Sequence, residues 1–235
     1  NGEGGDPVFG GPKNLPMILW ELLREDPDPA ARARAYLVSY RKCYEDLPRL
    51  FTPEALAALD GAPPANAAVA PYLESPRMRS YLNRLLYTNL RTKGAHHILT
   101  KVERLTSSCG LVGRAPLFDR DVVDFAFAVP PRFKLAGTSE KWVLKLAAAG
   151  LLPRTVVHRP KSGMRVPVQH WLGGPLRAMA EDLLVGPRAR ARGLFRTEPI
   201  REWMDGGGSL WPREGGKLWL LLSLELWIRS FLEGE

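Results

Sequence analysis

The chain has 235 residues, 45% of them hydrophobic and 25% charged, enough to bury one large core or two modest ones. Lysine plus arginine number 33 against 25 aspartate plus glutamate, a formal charge of +8. That excess suits an anionic partner, whether a nucleotide phosphate, a nucleic acid or another protein, but the bulk of it reads as plain surface composition, as in the patternless Arg and Ala mixture from Ala30 to Ala35. Two cysteines, Cys43 and Cys109, exclude a disulfide framework and a cysteine zinc site and fit a reducing, cytoplasmic setting. The greasiest stretch, Leu218 to Leu232, is interrupted by Glu225 and Arg229 and is shorter than the ~20 residues that span a bilayer, so no membrane segment is expected. Nor is there a secretory prefix.

The elements predicted in chain order are nearly all helical. The opening run Asn1-Gly2-Glu3-Gly4-Gly5-Asp6 is a glycine loop of the kind that follows a strand, which predicts a piece of a larger domain whose sheet lies upstream. Leu15 to Glu25 places Leu15, Ile18, Leu19, Leu22 and Leu23 on one helical face. A second helix is predicted from Ala30 to Asp46, and Thr52-Pro53-Glu54 caps a third through Leu59. Gly61 to Pro71, rich in proline and alanine, reads as a connector inside a single partial domain covering residues 1–235.

Ser75-Pro76 is expected to start a longer helix carrying Met78, Tyr81, Leu82, Leu85 and Leu86, with Gly94 as its stop. Helical pattern continues from Ala95 to Thr106, followed by a loop to Pro116. Asp119 caps a helix that Pro130-Pro131 ends, and Ser139-Glu140 opens another, ending at Gly150, with Lys141 in its first turn. Val156 to Val168 reads as an ordered loop. Short helices follow at Gln169 to Leu172, Pro175 to Leu184 and Pro199 to Met204, and a last one from Lys217 to Leu232 is apolar on most sides and therefore predicted to be largely buried. Period-two alternation is almost absent, so the fold class is mainly α.

Three places could carry chemistry. Gly2, Gly4 and Gly5 can leave backbone N–H groups open to a phosphate, and Glu3 and Asp6 are hard oxygen ligands of the kind magnesium takes. His158-Arg159-Pro160-Lys161-Ser162-Gly163 sets two cations around a proline; arginine clamps an anion, and lysine follows one that moves. Lys141 is a cation at a helix start, a disfavoured place without an anion nearby. Each also has a plain reading, as a turn, a solvated loop or a mild oddity. Ser39 with Lys42, the His96-His97 pair, His170 and Cys109 lack the companions their chemistries need and receive no function.

Taken together, the three places resemble the distal half of the synthetase domain of the asparagine synthetase family. Asn1 to Gly11 resembles its Ser-Gly-Glu-Gly-Ala-Asp-Glu loop ending Phe-Gly-Gly, and Arg114-Ala115-Pro116-Leu117-Phe118-Asp119 resembles its Arg-x-Pro-Phe-Leu-Asp. Glu140 to Lys145 resembles its Lys-x-x-Leu-Arg helix, followed by Leu152-Pro153, Arg159-x-Lys161-x-Gly163, Pro167 and Trp171. Leu218-Trp219 and Leu226-Trp227 are similar to its closing helix.

The resemblance implies the helical distal half of a PP-loop (adenine-nucleotide alpha-hydrolase-like) domain that uses ATP and Mg2+ to adenylate a carboxylate, a nitrogen nucleophile then forming the amide. By position, Gly2, Gly4, Gly5 and Arg159 would bind the nucleotide phosphates and Asp6 the metal. Lys141 and Lys161 would neutralise growing phosphate charge, and Glu3 would face the acceptor or nucleotide region. The expected partners are a small-molecule or peptide carboxylate, an N-terminal half holding the pyrophosphate loop, and a glutaminase domain; nucleic acid and membrane are not expected. The family's Ser-Gly-Gly-x-Asp-Ser loop occurs nowhere in the chain, Pro7 replaces an acidic residue, and Val112 stands where glutamate is common. Relatives that make beta-lactams or close lasso-type peptide rings share the scaffold, so a natural-product or peptide cyclase is the alternative enzyme. The alternative outside enzymes is a non-catalytic helical binding module.

Overall fold

Helices dominate the described residues, as expected of a sequence without period-two alternation. The computed structural model describes residues 1–12, 14–25, 28–40, 43–160, 166–206 and 214–234. Among them there is no sheet; two isolated bridges join Phe51 to Phe195 and Ala136 to Ser139. The mainly α expectation holds. No helix among the described residues is long and apolar enough to cross a membrane. The chain divides into two compact units.

The first unit comprises Asn1–Ser39 and Pro64–Ser162. One of its apolar cores is Val8, Phe9 and Ala126, with Leu90, Leu117, Phe118, Val143 and Leu144 packed against them. Leu90 belongs to a helical run of three parts: α over Tyr81–Asn89, a π-helix over Leu90–Leu99 and α again over Thr100–Ser107. Its start is Ser80 rather than the predicted Ser75, because the Ser80 hydroxyl accepts the Asn83 N–H at 3.1 Å, while residues 75–78 form a turn. Gly94 does not stop the run. It is buried inside the π segment, where a Cβ would lie 3.3 Å from the Phe118 ring, so the glycine serves close approach.

Other boundaries shift for similar local reasons. The second helix covers Pro29–Ser39 instead of continuing to Asp46; the Ser39 hydroxyl bonds back to the Tyr36 carbonyl at 2.6 Å, a side-chain competitor for the ladder. A 3-10 turn at Cys43–Glu45 and a short helix at Leu47–Leu50 follow. Within the proline and alanine stretch 61–71 lie a 3-10 turn, Ala65–Ala68, and the start of the Ala70–Leu73 helix. The loop expected over 156–168 begins inside a short helix, Arg154–Val157. In the Asn14–Leu23 helix the buried residues are Asn14 and Met17; of the apolar stripe Leu15 and Ile18 are half-buried, while its end points outward, with Leu22 and Leu23 74% and 79% exposed.

The second unit comprises Tyr40–Pro63 and Gly163–Glu235. Thr52 caps Pro53–Ala58 as predicted, accepting the Ala55 N–H at 3.1 Å, and its hydroxyl donates to the Gly193 carbonyl at 2.6 Å. Phe51 meets Phe195 with ring centroids 5.1 Å apart. The core gathers Leu172, Leu184, Ile200, Trp203, Leu218 and Leu222 from the helices Val168–Gly173, Arg177–Val185, Thr197–Met204 and Glu214–Phe231. Pro187–Arg192 is a helix the periodicity did not predict.

The terminal helix corrects a prediction. It buries one face only, through Leu218, Leu221, Leu222 and Ile228, and leaves Trp219, Leu226, Trp227 and Phe231 exposed. On the buried side Glu225 accepts from Arg192 and Arg229, so this carboxylate lies inward because two guanidinium groups meet it.

Candidate functional site

The opening loop lies on a bed made by the Arg114–Asp119 segment. The Asn1 main-chain nitrogen donates to the Arg114 carbonyl at 2.7 Å, and the Asn1 side chain accepts the Glu3 N–H at 3.0 Å. Gly4 is buried with φ +110, and a Cβ there would sit 2.8 Å from that of Leu117. Only glycine fits that contact. Beyond it, Pro7, Val8 and Phe9 are buried in the short Gly5–Phe9 helix, which fixes where Asp6 stands.

The same segment organises its other neighbours. Leu117 and Phe118 join the core, and the Asp119 carboxylate accepts the Asp121 N–H at 3.0 Å to cap Arg120–Ala128. Thus the motif that looked like a family marker is a structural plinth for the loop.

Lys141 arrives from the far end of the unit. Its helix is Trp142–Ala148, so Lys141 occupies the N-cap and not the first turn as predicted. It is the one non-glycine residue with positive φ among those described, at +54. Its N–H donates to the Gly10 carbonyl at 3.2 Å, and its Nζ donates to Asp6 Oδ1 at 2.9 Å. Glu140 Oε1 is 3.9 Å from the same Nζ. The anion that a cation at a helix start needs is therefore supplied by Asp6, 135 residues away in sequence.

Glu3 faces Lys101, with Nζ to Oε1 at 3.5 Å. Gly2 is exposed, and a Cβ there would meet nothing. Gly5 has ordinary contacts with Leu117 and the Lys141 stem. Arg159 lies on the rim of an open pocket of about 280 Å³ that Lys141, Lys145 and Glu140 also line, with Leu144, Leu152, Val156 and Val157 as its apolar side. Lys161 falls outside the described residues. Two residues escaped sequence reasoning. Lys145 shares the pocket with Lys141, and their four-residue spacing was a usable signal. Lys134 is fully buried, with its Nζ on Asn83 Oδ1 at 2.8 Å and over the Phe127 ring, and burial pushes its pKa down to about 8.

No three metal-ligating side chains gather around one point among the described residues. Asp6 therefore offers a single carboxylate, which is what magnesium commonly takes from protein when phosphate and water supply the remaining oxygens. The carboxylate present fits the ion.

Compared with known families, residues 1–229 match asparagine synthase. The chain belongs to the asparagine synthase family. Within that family it is 29% identical over 113 residues to "Asparagine synthetase [glutamine-hydrolyzing] 1" of Bacillus subtilis, covering 48% of this chain and 18% of that protein. It is 35% identical over 89 residues to "Putative asparagine synthetase [glutamine-hydrolyzing]" of Mycobacterium bovis, covering 38% and 14%, and the Mycobacterium tuberculosis proteins of that name give the same figures. The matched segments are thus less than a fifth of those relatives' lengths. No solved structure matches the chain.

Proposed function

We propose that this chain is the helical portion of an ATP-dependent, amide-forming ligase that activates a carboxylate as its adenylate, working in the cytoplasm with a pyrophosphate-loop segment that its own residues do not provide. The observation that carries this reading is the Asp6–Lys141 pair, which joins the two family motifs into one site with a carboxylate and an ammonium 2.9 Å apart. In the step proposed, the acid's carboxylate oxygen bonds to the α-phosphorus of ATP as the bond to pyrophosphate breaks, pyrophosphate leaving with the electron pair. A nitrogen nucleophile then attacks the acyl carbon, loses its proton, and expels AMP.

Each residue has a task that its position allows. Asp6 would hold a magnesium ion, whose contribution is to offset phosphate charge. The Lys141 ammonium would offset charge on the leaving phosphates, and Arg159 would clamp them from the pocket rim. Gly2 leaves open backbone for the same oxygens, while Gly4 and Gly5 hold the loop on Leu117. Glu3 orients through Lys101. Lys161 takes the second phosphate-facing role that the family resemblance implies.

The test is exchange of labelled pyrophosphate into ATP by the polypeptide joined to a segment bearing the Ser-Gly-Gly-x-Asp-Ser loop, with a panel of carboxylates. Exchange is expected, with Asp6→Asn and Lys161→Ala each losing ~2.7–4 kcal/mol of transition-state stabilisation. No exchange with any acid overturns the ligase reading in favour of a binding module.

A further inference from the structure

The pocket beside Lys141 has a composition that the handling of phosphate does not explain. Phosphate needs cations and backbone N–H groups; it gains nothing from an aliphatic wall. Here Val157 is buried at the pocket's edge, Leu152 and Val156 are about half exposed within it, and Lys145 and Arg159 border the same space. Of its three cations Lys141 is held by Asp6 at 2.9 Å and lies 3.9 Å from Glu140, so Lys145 and Arg159 carry the positive charge of the pocket. A zwitterionic amino acid would bring an ammonium into this excess of positive charge and would leave the aliphatic wall without a partner.

We propose that this pocket binds a carboxylic acid with an uncharged hydrocarbon body, and that such an acid, rather than aspartate, is what the ligase activates. The carboxylate head sits at Lys145, beside the Arg159 that clamps the phosphates, and the body lies on Leu152, Val156 and Val157. At about 280 Å³ the pocket is just smaller than the ~300 Å³ at which drug-sized sites begin, which suits a small acid. The substrate part of this inference rests on the ligase reading above; the binding part does not.

Binding is measured on the chain itself by calorimetry and by amide chemical shifts, with octanoate, octyl phosphate, octanol and aspartate as probes. Octanoate is expected to bind and shift residues 144–159, and aspartate to leave them unmoved. Lys145→Met should weaken octanoate about tenfold, the value of one hydrogen bond to a charged group, and leave octanol unchanged. Val156→Asp should abolish octanoate binding with an unaltered thermal melt; Leu152→Asp serves the same end should the first variant melt early. Aspartate binding more tightly than octanoate overturns the proposal, and so does octyl phosphate outcompeting octanoate, which would make the head group a phosphate. Pyrophosphate exchange with aspartate, without octanoate binding, refutes the pocket and leaves the ligase. Octanoate binding without exchange of any acid refutes the ligase and leaves the pocket.

Discussion

Gly11 lies against Asp6 so closely that a Cβ on the glycine would stand 2.7 Å from the Asp6 Cβ and 3.0 Å from its Oδ1. The second glycine of Phe9-Gly10-Gly11 thus holds the carboxylate in place by being absent as a side chain. Gly11→Ala must move Asp6 or the turn, and overpacking of this sort costs about 1–3 kcal/mol. Urea denaturation should show that loss, while Gly2→Ala, which meets open space, should stay within about 0.5 kcal/mol of the parent. Equal effects from the two substitutions would remove the positioning role.

Lys141 supplies a second comparison. Its φ of +54 is costly for a side chain bearing a Cβ and free for glycine. Lys141→Ala and Lys141→Gly both delete the contact with Asp6, so the difference between them isolates the backbone. The glycine variant should be the more stable by about 1 kcal/mol in urea titrations. A more stable alanine variant would show that the left-handed backbone is not retained.

Buried Lys134 makes stability depend on pH in an unusual direction. Its pKa falls from 10.5 in the unfolded chain to about 8 in the folded one because burial disfavours its charge. Between those values the unfolded chain binds the extra proton, so stability rises with pH across the window and is level below about pH 8. The gain is on the order of 3 kcal/mol. Denaturant midpoints measured from pH 7 to pH 10.5 should climb in the parent and climb less in Lys134→Met; parallel profiles would place the lysine in water.

Leu22 and Leu23 on the Asn14–Leu23 helix, and separately Trp227 and Phe231 on the terminal helix, are exposed apolar groups. Replacing Leu22 and Leu23 by Lys and Glu should leave the melting temperature within the range of ordinary surface changes. It should also raise the concentration at which light scattering detects self-association. A large fall in stability would mean that the stripe is covered within the unit.

Much of the helical architecture was legible because caps and breakers act locally. Thr52 and Asp119 accept the backbone N–H groups that their sequence contexts announce, and Pro130-Pro131 ends its helix. Gly94 misled because a glycine that admits a ring looks, in sequence, like a glycine that ends a helix. The terminal helix misled in a related way: hydrophobicity on every side does not reveal which side meets a core. The Asp6–Lys141 approach could be anticipated only by joining motifs, since no local pattern relates residues 135 apart. Lys134 gave no signal at all, because a lysine among aromatic and proline residues is common on surfaces.

The π segment from Leu90 to Leu99 sets the phase of everything after it. Each residue of an α-helix turns the chain by about 100°, so a stretch with wider turns delivers the following residues at an azimuth that a regular helix would miss. Lys101, which meets Glu3, and Val102 and Thr106, which close on Gly113, all lie on the far side of that stretch. Deleting a single residue between Leu90 and Leu99 would therefore act as a rotation. The helix could remain continuous and equally helical by circular dichroism, while the opening loop would lose the Lys101 contact at Glu3 and the chain at Gly113 would meet a different face.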